Sequence, residues 1–266
     1  MAILYAFLII TGLGAILGLG LAIADRFLTV PKDEKLEELE NMMPGANCGG
    51  CGFAGCSAYA EAVYQGKVLP GLCAPGGVDL ANKMAQLMGV EVQMAEKKVA
   101  YIFCSGSCEN SVKDFDYKGL QDCNAAAMLF KGENGCKAGC LHLGSCMKVC
   151  EANAIYRKED GTLAVDSKLC QGCGLCTKVC PNGVIKLIPA SAPYVVACNS
   201  HEKGSVVRNV CSVGCIGCKI CENKFPEAGF KVDENLACAN YDGSYNIEAM
   251  SNAAQACPRH IIKTRN

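Results

Sequence analysis

Eight cysteines lie between Cys136 and Pro181, and their spacing sets the chemistry they can do. The second half reads Cys170-Gln-Gly-Cys173-Gly-Leu-Cys176-Thr-Lys-Val-Cys180-Pro181, a C-x2-C-x2-C-x3-C-P run. Three cysteines two residues apart wrap one face of a cubane iron–sulfur cluster, and the fourth points away to ligate another cluster. Small residues between them let backbone amides approach the sulfurs. Structural zinc is the competing use of Cys-x2-Cys pairs. It takes four ligands, usually in two separated pairs, so this triple followed by Cys-Pro has one cysteine too many.

The first half carries a variant, Cys136-x3-Cys140-x5-Cys146-x3-Cys150. The stretch from Lys148 to Ile155 is repeated 30 residues later, from Lys178 to Ile185. Two pseudo-symmetric halves that exchange their fourth cysteines make a two-cluster ferredoxin module. The expected ligand sets are Cys150 with Cys170, Cys173 and Cys176, and Cys180 with Cys136, Cys140 and Cys146. Leu143 stands where a standard first half places a cysteine. Either Cys136 replaces it, or that site holds a three-cysteine 3Fe–4S cluster.

Two further groups read as single 4Fe–4S sites. Cys48-x2-Cys51-x4-Cys56-x16-Cys73 sits among glycines that suit a loop wrapped around a cluster, with a four-cysteine zinc site as the alternative. Cys215-Ile-Gly-Cys218-Lys-Ile-Cys221 with Cys257-Pro258 predicts the other. A second cluster beside it would need cysteines where the chain has Phe225, Ile247, Met250 and Ala253. All four are apolar, which predicts a lost cluster whose space is refilled by hydrophobic packing. Cys104, Cys108 and Cys123, with Cys198 or Cys211, form an open fifth set, for which buried unligated thiols are the alternative. Cys238 has no site and reads as a plain thiol. The three histidines, His142, His201 and His260, are scattered and read as surface or packing residues.

The elements around these cysteines follow from the apolar pattern. Residues 3–24 carry no charge. As a helix they extend about 33 Å, enough to cross a bilayer core of about 30 Å. Gly12, Gly14, Gly18 and Gly20 leave a small-residue face for another membrane helix. A signal peptide competes, with Ala22-Ile23-Ala24 as its cleavage site, but no basic residue precedes the span. Arg26, Lys32 and Lys35 follow it, which puts the N-terminus outside and the remainder in the cytoplasm. Lys32 to Glu40 reads as a charged helical connector. Helices are predicted over 57–64 and 78–88. Strands over 99–103 and 194–197 deliver Cys104 and Cys198, as equivalent pieces preceding two modules. The 22 cysteines cluster at cofactor spacing, which argues for a reducing compartment over a disulfide framework. A net charge of −1 gives no reason to expect a nucleic-acid partner. No nucleotide-binding glycine fingerprint follows a strand, so nucleotide and flavin chemistry would belong to partners.

The order of parts resembles the B subunit of the Rnf complex, the ion-translocating ferredoxin:NAD oxidoreductase. The matching parts are the apolar span, Asn47-Cys48-Gly-Gly-Cys51-Gly-Phe-x-Gly-Cys56, Tyr117-x-Gly119-x-x-Asp122-Cys123, Gly139-Cys140-Leu-x-x-Gly144-x-Cys146, Lys203-Gly204 and Gly214-Cys215-Ile-Gly-Cys218. They cover nearly the whole chain. The resemblance implies an electron-entry subunit on the cytoplasmic membrane. It would accept electrons from soluble ferredoxin and pass them to membrane and peripheral subunits, and ultimately to NAD or another acceptor, coupled to Na+ or H+ movement. A related expectation is the same machinery serving a redox-sensing regulator. A zinc-binding membrane scaffold is the reading from a different class.

The expected fold is α+β. Residues 1–30 form a transmembrane anchor and 31–95 a four-cysteine domain. Residues 96–131 are a connector, 132–190 a two-cluster ferredoxin-like pseudo-twofold βαβ module, and 191–266 a degenerate one-cluster module. Four 4Fe–4S clusters are expected, and a fifth if the open set binds.

Overall fold

A computed structural model describes residues 2–28, 33–92 and 96–265. The expected boundaries at 30/31 and 95/96 fall on or beside residues outside that range, as does the start of the connector at Lys32. The first helix, α1 (Ala2–Leu28), contains the apolar span. Its Phe7–Ala24 stretch has a mean hydropathy of 2.4 and none of it is buried against the rest of the chain. An unburied apolar helix of this length meets the requirement for crossing a bilayer.

Helices α2 (Glu34–Met42), α3 (Cys56–Tyr64) and α4 (Gly77–Met88) build the four-cysteine domain. Asp33 caps α2 by accepting the Lys35 N–H, and its other oxygen takes the Tyr64 hydroxyl at 2.7 Å. That pair ties the entry of α2 to the end of α3. The core is Leu39, Tyr59, Ala60, Val63, Leu80 and Met84, all nearly or fully buried.

The rest of the chain repeats one topology twice. The first unit contains β1 (Lys98–Ile102), α5 (Cys123–Ala127), α6 (Ser145–Lys148), β2 (Ile155–Arg157), β3 (Leu163–Val165), α7 (Leu175–Lys178) and β4 (Ile185–Pro189). The second contains β5 (Tyr194–Val196), α8 (Gly204–Val210), α9 (Ile220–Asn223), β6 (Phe230–Asp233), β7 (Leu236–Ala239), α10 (Ile247–Ala256) and β8 (Ile262–Thr264). In each, the first and last strands pair and enclose a hairpin: β1 with β4 around β2–β3, and β5 with β8 around β6–β7. All four pairs are antiparallel. Each unit thus runs strand–helix–strand twice, β1-α6-β2 with β3-α7-β4 and β5-α9-β6 with β7-α10-β8, and the short helices lead into a hairpin and into the closing strand. The strand expected in the connector is the first strand of the first unit, because Val99 faces Ile188 in the β1–β4 register.

Each unit has its own buried core, and Tyr101 packs against both. Arg265 donates through Nη1 to the Pro189 carbonyl at 2.8 Å, and its backbone N–H bonds Pro193 O. Tyr241 donates to Tyr194 O at 3.1 Å. In the second unit Met250 and Ala253 are fully buried and Phe225 packs against them, as expected for a refilled cluster site. Ile247 departs from that expectation. It is 59 % exposed, because it opens the first turn of α10 and faces away from the core.

Candidate metal centres

All 22 cysteines are free thiols, and most gather in five groups. Site A lies in the four-cysteine domain, where Cys73 faces Cys48, Cys51 and Cys56. Its loop holds its shape through Asn47, whose side-chain oxygen accepts the Cys56 N–H at 2.8 Å. Gly49 and Gly52 adopt positive φ, a conformation that costs glycine nothing. The Tyr59 hydroxyl accepts the N–H groups of Gly71 and Leu72 and so places the segment carrying Cys73.

Site B is a cavity lined by Cys150, Cys170, Cys173 and Cys176, the set expected from the crossed spacing. Ala154 N–H donates to Cys150 Sγ at 3.3 Å and Ala100 N–H to Cys170 Sγ at 3.4 Å. Such bonds favour the thiolate and tune a bound cluster. Burial pushes the Cys176 thiol up to about 12, and the neighbouring thiolates of Cys170, Cys173 and Cys146 act in the same direction.

Sites C and D depart from the expected grouping. Cavity C is lined by Cys140, Cys146, Cys180 and Cys123. Cys136 instead lines cavity D, together with Cys104, Cys198 and Cys211. The physical reason is tertiary. Asp122 caps α5 by accepting the Asn124 and Ala125 N–H groups, while its second oxygen takes the Ser145 hydroxyl at 2.8 Å. Ser145 Oγ in turn accepts the Cys123 N–H at 2.8 Å, which pins Cys123 beside Cys146. Cys123 thus lines the cavity in which the spacing had placed Cys136 in lieu of a cysteine at position 143. Burial pushes the Cys146 thiol up to about 11, with Cys123 and Cys180 adding to the shift.

In D, the segment after Cys104 lies along the end of α8: Val112 N–H bonds Val210 O, and Ser111 bridges Cys211. Burial raises the Cys104 thiol, and Cys136 and Cys211 are its charged neighbours. Arg259 donates to the carbonyls of Cys211 and Gly214 and locks that loop. Cys108, expected in this set, is exposed and lines neither cavity. His142 also lines D, where its Nε2 is buried without a hydrogen-bond partner. Nothing in its sequence context signalled this, since the fold alone brings it there.

Site E is lined by Cys215, Cys218, Cys221 and Cys257, as expected. The Cys221 thiol is pushed up to about 11 by burial, then by the other three. Cys238 is exposed and lines none of the cavities.

These groups suit a polynuclear cluster. Among the described residues, no three Cys, His, Asp or Glu side chains converge closely enough to hold a single metal ion. The thiols instead surround cavities, where four thiolates held together would carry a negative charge that a cationic cluster core would compensate.

Neighbouring sites also touch. Cys48 of A lines cavity B, and a Cβ on Gly50 would lie 2.6 Å from the Cys173 carbonyl oxygen. Lys178 Nζ donates to the Cys48 carbonyl at 2.9 Å. Cys176 of B faces Cys146 of C. Cys140 lines both C and D, and its N–H donates to Cys104 Sγ at 3.3 Å. The Cys215 N–H of E donates to Cys198 Sγ of D at 3.4 Å.

A mixed helix–strand chain with one apolar N-terminal helix and cysteines grouped around contiguous cavities defines an iron–sulfur electron-transfer protein. The "Putative Fe-S cluster" family model matches residues 43–75, and the 4Fe-4S dicluster domain model matches residues 134–184. The B subunit of the ion-translocating oxidoreductase complex of Methanosarcina acetivorans is 36 % identical over 97 % of this chain and 96 % of its own. The B subunit of the proton-translocating ferredoxin:NAD(+) oxidoreductase complex of Clostridium ljungdahlii is 38 % identical over 96 % of this chain and 90 % of its own. Its Na(+)-translocating counterpart from Acetobacterium woodii is 37 % identical over 94 % of this chain and 74 % of its own. The chain belongs to this B-subunit family, the iron–sulfur electron-transfer subunits of ion-translocating oxidoreductase complexes. The resemblance read from Asn47–Cys56 and the cysteine runs is thereby borne out.

Proposed function

We propose that the chain is a five-site electron wire with the order A, B, C, D, E. Its ligand sets are Cys48, Cys51, Cys56 and Cys73; Cys150, Cys170, Cys173 and Cys176; Cys123, Cys140, Cys146 and Cys180; Cys104, Cys136, Cys198 and Cys211; and Cys215, Cys218, Cys221 and Cys257. The observation that carries this reading is that each site adjoins the next: Cys48 lines the cavity of B, Cys176 lies within electrostatic reach of Cys146, Cys140 lines both C and D, and the Cys215 N–H of E donates to Cys198 Sγ of D. A 4Fe–4S cluster takes up and releases one electron at a potential set by burial and by hydrogen bonds to its sulfurs. The backbone N–H groups of Ala100, Ala154, Cys140, His142 and Cys215 each point at a cysteine sulfur and supply such bonds.

Helix α1 anchors the chain in the cytoplasmic membrane. Arg26, Lys32 and Lys35 follow the span in sequence, which by the positive-inside rule puts the cytoplasm on that side and the N-terminus outside. The two repeated units are ferredoxin-like modules, the second reduced to one site. The donor is soluble ferredoxin. The acceptors are other subunits of the complex, whose electron flow drives Na+ or H+ across the membrane.

Iron, acid-labile sulfide and zinc per chain test the wire on anaerobically purified protein. Five cubanes require about 20 iron and 20 sulfide, against about 16 each for four. Low iron with several zinc atoms would overturn the reading in favour of a zinc scaffold. Cys173→Ala in the full complex is expected to abolish ferredoxin-dependent electron delivery, and delivery at the wild-type rate would take site B off the path.

A further inference from the structure

A cleft of about 670 Å³ opens between the two modules, and none of the ligand sets accounts for it. One bank is β1 with the β2–β3 hairpin; the other is β8 with Tyr194 and the end of α10. The cleft shares a wall with four of the five sites. Ala100 and Val165 also line B, and Ile102 and Leu163 also line C. Cys104 also lines D, and Ile262 also lines E. An occupant of this cleft is separated from each of those cavities by a single layer of residues.

The rim is cationic. Lys158, Lys263 and Arg265 face the cleft with a single carboxylate, Asp160, and with His260. Asp160 lies within electrostatic reach of both lysines, but among the described residues neither lysine makes a salt bridge. Lys158, His260 and Lys263 are exposed. Arg265 is fixed by its bond to Pro189 O, and its Nε is buried without a partner. Small-molecule sites are mostly apolar and bury their ligand. This open, basic cleft instead fits the acidic face of a protein, where charge complementarity steers encounter and orientation.

We propose that the cleft is the docking surface for a small acidic one-electron carrier protein. This deepens the electron-wire reading and rests on it. One electron would leave the reduced carrier, which is oxidised, and would reduce the cluster that Cys104, Cys136, Cys198 and Cys211 would hold. No bond or proton moves.

The test is anaerobic stopped-flow reduction of the oxidised full chain by a reduced acidic two-cluster ferredoxin, at low and high salt. The variant is Lys158→Glu with Lys263→Glu. A control reverses Lys67 and Lys83, which are exposed in the four-cysteine domain. Dithionite gives the total reducible iron of each protein. The second-order rate should fall about tenfold or more in the cleft variant at low salt, and the gap should close at high salt. The control should react at the wild-type rate, and iron content should be the same in all three. Zero-length carbodiimide coupling should join the carrier to Lys158 or Lys263. Wild-type rates in the cleft variant overturn the docking surface and leave the wire intact. If wild-type chain is reduced by dithionite and by no acidic ferredoxin, the ferredoxin-donor reading falls, and the docking surface with it.

Discussion

Cys123 and Cys136 show what single residues decide here. The cavity groupings at B and E are legible from spacing because three of the four cysteines in each are local, the exceptions being Cys150 in B and Cys257, after α10, in E. Sites C and D were not legible. Their grouping depends on the Asp122–Ser145–Cys123 hydrogen-bond chain and on the lie of residues 104–113 along α8, neither of which has a local signature. Cys123→Ala should therefore perturb site C, with a loss of up to about four iron per chain, whereas Cys108→Ala and Cys238→Ala should leave iron unchanged. Iron and sulfide analysis of the three variants separates these outcomes. Asn47→Ala removes the acceptor of the Cys56 N–H and should cost about 0.5–2 kcal/mol of stability, read from thermal unfolding of the loaded protein.

At the level of elements, sequence located the helices well and the pairing of strands poorly. The expected helices over 57–64 and 78–88 begin one residue earlier, at Cys56 and Gly77. The expected strand before Cys104 is present, but its partner lies beyond the whole cysteine run, and nothing in a five-residue apolar stretch specifies a partner so distant. Helix α10 carries the clearest energetic prediction. Met250 is fully buried where a cluster would otherwise sit, so Met250→Ala should cost about 2–5 kcal/mol. Ile247→Ala, on the exposed face, should stay within about 0.5 kcal/mol. Denaturant titration of both variants checks the contrast. Similar costs would mean that α10 does not pack as described.

Across the molecule, the contact between the four-cysteine domain and the first module sets how closely A approaches B. Lys178 Nζ reaches the Cys48 carbonyl, and Gly50 abuts Cys173 with no room for a side chain. Lys178→Met and Gly50→Ala should each leave the iron count unchanged while weakening the magnetic interaction between the reduced A and B clusters. Electron paramagnetic resonance at graded potentials reads that interaction directly. An unchanged spectrum in both variants would show that the contact does not hold the domains together. The charge on Lys178 also sits at an exposed boundary, where salt screens it, so its contribution should shrink as ionic strength rises.

Cavity D draws Cys104 and Cys136 from before the first closing strand, and Cys198 and Cys211 from after it. During synthesis the first module can therefore complete B and C while D still lacks half of its sulfurs. D closes only once the start of the second module has emerged and docked. Assembly of that cavity therefore requires the two halves to have joined, and a chain that has not yet reached Cys198 presents Cys104 and Cys136 without their two partners.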